Sequence, residues 1–305
     1  NQFLLNDRCQ KIRQIYEEYD LENTAYLSFS GGKDSTLLSA LLDFACPGNK
    51  IPRVFCNTGL EYKKLVEFVR EKTKTDKRFI EIHPTCNIKQ MLEEEGYPFK
   101  SKEYAHKLKL LKDGSNSQNM KKYFRIIPGA DRRFACPQIL QYQATTDIGF
   151  KISDLCCQRL KKDPCNLWAK QNGKTTAILG IRTAEGGQRK NLKNCLAFKG
   201  TALKHFSPLL PCSDNFVNWL STELNVVYCE LYYEPYKYTR TGCKGCPFSM
   251  TVQQELEKME RYFPAERKQC EMIFGKVYDE YRRIGYRIKN KQKKDSLLTV
   301  LVGTI

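Results

Sequence analysis

The sequence predicts an α/β fold in which parallel strands are joined by helical crossovers. Two observations predict it. Strand-like apolar runs alternate with helical patterns over the first hundred residues, and a glycine turn follows the first of these strands and opens a helix. The chain of 305 residues is long enough for one large domain or two smaller ones with a sizeable core.

The predicted elements follow one another along the chain. Apolar positions at helical spacing predict a first helix over residues 5–20. Strands are predicted at "TAYLSFS", "KIPRVFCNTG", "RFIEIHP" and "TTAILGIRTAE", and at the C-terminal "LLTVLVGTI". Helices are predicted at "DSTLLSALLDFAC", "LEYKKLVEFVREKTK", "NIKQMLEEEG" and "SDNFVNWLSTEL". The alternation implies strands that run parallel.

The chain is strongly basic. Its formal net charge is +17, from 51 Lys and Arg against 34 Asp and Glu, which favours an anionic partner such as a nucleotide or nucleic acid. A merely basic surface is the alternative. Residues 100–133 hold ten of the basic residues and three acids, and they predict a basic insertion that begins as a helix. That insertion is either solvated surface or a lid or nucleic-acid contact.

No membrane segment is predicted. No stretch approaches the ~20 apolar residues that span a bilayer. The first residues, "NQFLLNDRCQKIRQIYEEY", mix charges into their apolar positions, unlike a signal peptide. We therefore expect a cytoplasmic protein without a membrane partner.

The stretch "AYLSFSGGKDSTLLSALL" has the composition of a phosphate cradle. Glycines let the backbone approach an anion closely, and the N-terminus of the following helix offers unpaired N–H groups and partial positive charge. Ser30 and Ser35 add hydroxyl donors, and Lys33 adds a charge. Asp34 is expected either to cap the helix or to help hold Mg²⁺.

The six residues Ser-Gly-Gly-Lys-Asp-Ser resemble the PP-loop, SGGxDS, of the ATP-pyrophosphatase superfamily. Those enzymes bind ATP in a Rossmann-like, doubly wound fold and cleave it between the α- and β-phosphates. "CNTGLEYKKLVEFV" is similar to the segment after the second strand in the PAPS-reductase branch of that superfamily. The two resemblances imply an adenine-nucleotide site made by Ser28, Ser30, Gly31, Gly32, Lys33, Asp34, Ser35, Asn57, Thr58 and Glu61.

Four of the 14 cysteines stand in two tight groups, Cys156–Cys157 and Cys243–Cys246. In a reducing compartment such a count indicates metal or redox chemistry rather than a disulfide framework. A CxxC loop turns two thiolates towards one metal, and two pairs supply the four ligands of a tetrahedral zinc or a [4Fe–4S] cluster.

Two adjacent cysteines, 85 intervening residues and a CxxC resemble the iron–sulfur signature of adenylyl-sulfate (APS) reductases. The resemblance implies a [4Fe–4S] cluster whose negative charge Lys161 offsets, with zinc as the alternative and Cys195 or Cys165 as substitute ligands. "AILGIRTAEGGQRK" resembles the strand and loop with which that family meets its substrate anion. It implies catalytic roles for Arg182, Glu185 and Arg189, beside Lys33 and Asp34 of the turn.

Two features depart from the reductase pattern. The mobile C-terminal Glu-Cys-Gly-[Ile/Leu]-His that carries the reductase nucleophile is absent from this sequence, and Cys270, in a helix-like segment, is the one cysteine after Cys246. The phosphate loop is intact, as in enzymes that adenylate a substrate, and the DNA-phosphorothioation ATPase combines such a loop with a cluster.

Three functions follow as hypotheses. The first is an enzyme that cleaves ATP–Mg²⁺, adenylates an acceptor such as RNA or DNA, and passes it a sulfur from a donor. The second is a PAPS or APS reductase that releases sulfite with a thioredoxin-like reductant. The third is a non-catalytic sensor or partner protein that binds a nucleotide and a cluster.

The predicted organisation has three parts. An N-terminal helix covers residues 1–20, a nucleotide-binding domain covers 21–250, and a basic extension covers 251–305. Within the middle part, the basic insertion spans about 98–135, and the predicted cluster segments are 153–168 and 240–249.

Overall fold

The computed structural model describes residues 1–129 and 133–289. The strand predicted at 297–305 lies outside these ranges. Within them the chain forms two compact units. The first contains residues 1–86 and 158–243, and the second contains residues 87–157 and those from 244 onward.

The helices are numbered in chain order through both units. They are α1 (Gln2–Glu18), α2 (Leu21–Thr24), α3 (Lys33–Ala45), α4 (Lys63–Thr75), α5 (Ile88–Glu95), α6 (Lys102–Lys112), α7 (Gln118–Tyr123), α8 (Asp163–Gln171), α9 (Asp214–Glu223), α10 (Val252–Tyr262) and α11 (Pro264–Ile284). A π-helical turn, Gln158–Lys162, precedes α8. The predicted helices are confirmed within a few residues at each end.

The first unit contains a six-stranded sheet with the order β3-β2-β1-β4-β6-β5. Its strands are β1 (Ala25–Ser28), β2 (Arg53–Cys56), β3 (Phe79–Ile82), β4 (Thr176–Leu179), β5 (Leu196–Lys199) and β6 (Ala202–Phe206). Every pairing is parallel except that of β5 with β6, whose register shifts between Ala197 and Phe198. The α/β class and the mainly parallel sheet are confirmed.

Helices cover both faces of this sheet, as the alternating side chains of its strands require. Leu27, Phe55 and Ile178 lie in the larger core together with apolar residues of α1, α3 and α9. The intervening residues of the same strands face the other way and pack with Trp168 and Ala169 of α8. The result is the three-layer, doubly wound arrangement that places strand ends and helix starts at one edge of the sheet.

The second unit is built mainly of helices around an aromatic core. Phe99 and Tyr281 pack with ring centroids 4.5 Å apart, and Tyr104 meets Phe124 edge-on at 5.6 Å. The first part of the basic insertion forms α6, as predicted. Throughout the two described ranges, every helix is too short or too polar to cross a membrane.

Candidate functional site

The turn between β1 and α3 is held by its own serines. Gly31 has a φ of +70°, a backbone conformation that favours glycine, and a Cβ there would lie 3.0 Å from Leu65 Cδ1, so that side chain would have to shift. The Ser30 N–H donates to Ser35 Oγ (3.2 Å), and the two hydroxyls lie 3.0 Å apart. Gly32 is the N-cap of α3. The loop is therefore pre-formed at a helix N-terminus.

Asp34 in the first turn of α3 forms an ion pair instead of capping the helix. Arg182 Nε donates to Asp34 Oδ1 (2.7 Å), and Arg182 Nη1 donates to Asp214 Oδ1 (2.7 Å). Arg182 is buried, with 8% of its surface exposed. Burial raises the pKa of the Asp34 carboxyl, and the Arg182 guanidinium opposes that rise.

The end of β4 approaches the same turn very closely. A Cβ on Gly180 would lie 3.0 Å from the carbonyl carbon and oxygen of Asp34 and from the amide nitrogen of Ser35. These are backbone atoms that cannot rotate away. The contact brings the loop after β4 against the glycine turn between β1 and α3.

That loop carries the predicted Arg182, Glu185 and Arg189. The backbone N–H of Arg182 donates to Glu185 Oε2 (3.2 Å), and Arg189 Nη1 donates to the same carboxylate oxygen. Arg240 Nη2 lies 3.3 Å from Glu185 Oε1. Glu185 thus gathers two cations beside the turn.

The turn, Gly180, Glu185, Arg189 and Arg240 line one cavity of about 130 Å³. Its lining comprises Ser30, Gly32, Lys33, Asp34, Ser35, Gly180, Glu185, Arg189, Tyr232, Thr239, Arg240 and Thr241. Lys33 Nζ lies 5.1 Å from the centroid of the Tyr232 ring, and the Tyr232 hydroxyl is hydrogen-bonded to Thr241. A cavity with three cations, two carboxylates and a helix N-terminus can hold a polyphosphate and a divalent cation.

Sequence reasoning missed the wall formed by Tyr232, Thr239, Arg240 and Thr241. Tyr232 ends a short 3-10 helix and the other three lie in irregular chain, all more than 190 positions after the turn and without a periodic pattern. The one available signal was their place directly before the CxxC, in a tyrosine-rich segment.

Asn57, Thr58 and Glu61, by contrast, are not part of this cavity's lining. Glu61 Oε2 accepts from the backbone N–H and the hydroxyl of Thr58, both at 2.8 Å. Asn57 Nδ2 donates to Glu81 Oε1 (2.7 Å). All three predicted residues are buried at the end of β2, where they hydrogen-bond with their neighbours, and their nucleotide contact stays a prediction.

Ser28 is the last residue of β1 and is half-buried, and it too lies outside the lining of the cavity. Lys161 Nζ lies 3.0 Å from Glu61 Oε1. Burial alone lowers the pKa of Lys161, but Cys243 and Glu61 together raise it well above its usual value. The lysine predicted to offset cluster charge therefore lies beside one of the predicted ligands.

The predicted ligands divide between the two units. Cys243 belongs to the first, and Cys156, Cys157 and Cys246 belong to the second. Across residues 1–129 and 133–289, no three His, Cys, Asp or Glu side chains are arranged to hold a metal ion. Thiolates are the usual ligands of a [4Fe–4S] cluster, and a cluster on these four cysteines stays a prediction.

Cys270 lies in the second unit, where it contacts Lys244 of the CxxC loop. It is fully buried on α11, and its thiol lies 3.5 Å from the Lys244 carbonyl oxygen. Burial raises the pKa of this thiol to about 12. Gly245, with a φ of +59°, has no room for a Cβ beside Cys270 and Tyr278. Cys270 therefore supports the loop and is poorly suited to be a nucleophile.

Residues 24–249 match the family model described as the phosphoadenosine phosphosulfate reductase domain. The match covers most of the chain and includes the turn, the loop after β4 and the CxxC. The protein belongs to this family, a branch of the PP-loop proteins, and the predicted resemblance is confirmed.

An uncharacterized protein of Methanocaldococcus jannaschii is 32% identical over 283 residues. The alignment covers 90% of this chain and 52% of that relative, so the chain spans about half of the relative's length.

The comparison with solved structures matches this chain to several others, of which two are described here. One is the phosphoadenylyl-sulfate reductase of Candida auris, in a phosphate complex, at 15% identity and a TM-score of 0.41, covering 72% of this chain and 81% of that one. Another is the U34-tRNA thiolase of Methanococcus maripaludis with its [4Fe-4S] cluster, at 14% identity and a TM-score of 0.40, covering 97% and 84%.

Proposed function

We propose that the protein binds ATP–Mg²⁺ in the cavity beside the β1–α3 turn and cleaves it between the α- and β-phosphates, so that an acceptor becomes adenylated for sulfur transfer. The observation that carries this proposal is the convergence of Lys33, Arg189 and Arg240 with Asp34 and Glu185 around a pre-formed helix N-terminus. The acceptor we propose is RNA or DNA, because the chain carries a net charge of +17.

The chain's own groups have distinct parts in this reaction. The amides of the turn and Lys33 would stabilise the charge that develops on the departing pyrophosphate. Arg189 and Arg240, now held by Glu185, are close enough to turn towards a phosphate. Asp34 would offer a carboxylate to the divalent cation, which would supply positive charge to the phosphates. Arg182 keeps that carboxylate in position.

A [4Fe–4S] cluster on Cys156, Cys157, Cys243 and Cys246 is part of the proposal, on the strength of the cysteine pattern alone. When bound, such a cluster would handle sulfur or electrons. Anaerobic purification followed by iron analysis tests it. We expect Cys243→Ser and Cys157→Ser each to lose most of the bound iron, whereas iron retained in full by either variant would exclude that ligand.

The activity test is conversion of ATP to AMP and pyrophosphate, with sulfide as donor and RNA or DNA as acceptor. We expect Lys33→Ala and Asp34→Ala to abolish AMP formation. Lys170→Ala is the matched control, because it removes an exposed lysine on α8 outside the cavity. Unchanged AMP release in both turn variants would refute the mechanism.

The family match favours a second candidate, a PAPS or APS reductase. It predicts sulfite release from PAPS or APS with thioredoxin, and tighter binding of a sulfonucleotide than of ATP by calorimetry. The burial of Cys270 weighs against the nucleophile this reaction would need within the described chain. Binding of ATP without turnover of any substrate would instead support a sensor.

A further inference from the structure

A second cavity, of about 370 Å³, adjoins the candidate site within the first unit. Its wall includes Tyr228, Tyr232 and Tyr233 together with Lys33, Asn225 and the last turn of α9, and we call it the tyrosine groove. Lys33 and Tyr232 also line the cavity beside the β1–α3 turn, so the two cavities share these side chains. A molecule that reacts at a phosphate held in the first cavity has to approach it from an adjoining space of this kind.

The rings of the tyrosine groove are held in place by one another and by the backbone. The Tyr228 and Tyr232 rings meet edge-on, with centroids 6.0 Å apart and an interplanar angle of 73°. The Tyr233 hydroxyl accepts a hydrogen bond from the backbone N–H of Tyr228 (3.3 Å). Tyr232 is buried, whereas 49% of the surface of Tyr233 is exposed. The Tyr233 ring is therefore anchored at its hydroxyl and still offers surface to a ligand.

The composition of the groove suits a nucleotide. Among the described residues that line it, Lys33 is a cation and none carries a carboxylate. Stacking on aromatic side chains is the usual way in which proteins hold unpaired bases, because every base has a flat face. The chain's net charge of +17 favours the phosphates to which such a base is attached. The groove thus matches both parts of a nucleotide, a flat ring and an anionic backbone.

The rim of the groove favours a base of the acceptor over the adenine of ATP. Thr222, Asn225 and Tyr233 line the groove and are exposed, so the groove is open to solvent. A base that belongs to a strand must enter while the rest of the strand stays outside the protein. An open rim permits this, whereas the adenine of a free nucleotide needs no such opening.

Asn225 gives the rim a hydrogen-bonding group at an unusual backbone position. It follows α9 with a φ of +48°, a conformation in which helices most often place glycine. Its backbone N–H donates to the Thr222 carbonyl oxygen (3.1 Å) and so ends the helix. Asparagine is more strained there than glycine, but its side-chain amide offers one donor group and one acceptor to the edge of a base.

We propose that the tyrosine groove binds one unpaired base of the nucleic acid acceptor, with Tyr233 stacking on its face and Asn225 hydrogen-bonding to its edge. This inference rests on the proposed function, because the groove adjoins the cavity assigned to ATP. It narrows the acceptor to a single strand or an unpaired nucleotide, since a base inside a duplex is not free to stack on a side chain.

The test compares two single-stranded probes with equal numbers of phosphates, by fluorescence anisotropy with the full chain and without ATP. One is a short fluorescein-labelled oligothymidine, and the other is the same backbone without bases. We expect the wild type to prefer oligothymidine and Tyr233→Leu to reduce that preference about 5- to 30-fold. Tyr233→Phe keeps the ring and should retain more of the preference. Phe198→Leu is the matched control, because it removes a ring of 48% exposure on β5, outside the groove.

Asn225→Gly is a second variant that keeps the test decisive. Glycine suits the φ of this position, so the melting temperature should not fall. Loss of one hydrogen bond to the base should reduce the preference for oligothymidine about 2- to 10-fold. An unchanged preference in both Tyr233→Leu and Asn225→Gly would overturn the proposal, and so would equal losses in Tyr233→Leu and Phe198→Leu.

Calorimetry with ATP–Mg²⁺ separates this proposal from the proposed function. A loss of ATP affinity in Tyr233→Leu, with the preference for oligothymidine intact, would show that the groove holds the adenine of ATP and would overturn the present proposal alone. A wild type that does not bind ATP would refute the proposed function, whereas a preference for bases that depends on Tyr233 would still support the groove as a base site.

Discussion

Replacing Gly180 by alanine tests the closest backbone contact of the candidate site. The added Cβ would lie 3.0 Å from three backbone atoms of Asp34 and Ser35, whereas ordinary contact begins at 3.4 Å. The end of β4 and the start of α3 must therefore separate by about 0.4 Å or more. Such overpacking costs about 1–3 kcal/mol of folding free energy.

The same displacement should weaken nucleotide binding. The amides and hydroxyls of the turn act together, and loss of one or two hydrogen bonds at about 1 kcal/mol each reduces affinity roughly 5- to 30-fold. Calorimetry with ATP–Mg²⁺ measures the affinity, and thermal unfolding measures the stability. A lower melting temperature with unchanged ATP affinity would show that the packing is understood but that the turn is not the phosphate site.

Gly275→Ala is the matched control. Gly275 lies within α11, and a Cβ there meets no heavy atom within 4 Å. Alanine in a helix interior should stabilise the protein by roughly 0.5–1 kcal/mol and leave ATP affinity unchanged. If Gly180→Ala matches the wild type in both stability and affinity, the close-contact reasoning is refuted.

Three further predictions follow from buried contacts. Burial raises the pKa of Cys270 to about 12, so little of its thiol is in the reactive thiolate form at pH 8. It should react with iodoacetamide about a thousandfold more slowly than an exposed thiol. Labelling of the native protein at the rate of an exposed thiol would contradict its burial. Arg182→Ala should lower the free energy of unfolding, measured by chemical denaturation, by about 1.5–3 kcal/mol. Asp214→Asn changes the exposed partner of the same guanidinium and should lower it by roughly 0–1 kcal/mol. Equal losses in the two variants would refute this ranking. Tyr278→Phe removes the hydrogen bond to the Gly245 carbonyl and should destabilise the second unit by about 1 kcal/mol, with an unchanged melting curve as the opposing result.

Strands β1, β2 and β4 could be predicted because they are largely buried on both faces, so that their sequences are nearly continuous apolar runs. The hairpin of β5 and β6 was not predicted. Its strands are four and five residues long, and β5 is largely exposed, so neither shows a clear periodic pattern. Short strands of this kind depend on the neighbouring sheet rather than on their own sequence.

The candidate site shows the same division. Lys33 and Asp34 follow directly from a local motif. Of the residues carried over from a resemblance, Glu185 and Arg189 line the same cavity, and Arg182 reaches it only through its ion pair with Asp34. The cavity wall at residues 239–241 depends on how irregular chain folds back, which no local pattern encodes. The hydrogen bonds that Thr58 and Glu61 make with each other were equally invisible, because donor–acceptor matching is a property of the tertiary structure.

The bulged hairpin at one end of the sheet also bears on how the protein behaves in concentrated solution. A free strand edge is a template on which another chain can add a strand, and flat, long, apolar edges are the most vulnerable. Here β5 has four residues, ends in Lys199, and changes register between Ala197 and Phe198. A short, charged and kinked edge is a poor template. This end of the sheet is therefore protected against edge-to-edge aggregation. The other strand of the hairpin, β6, pairs with β4 and joins the hairpin to the rest of the sheet.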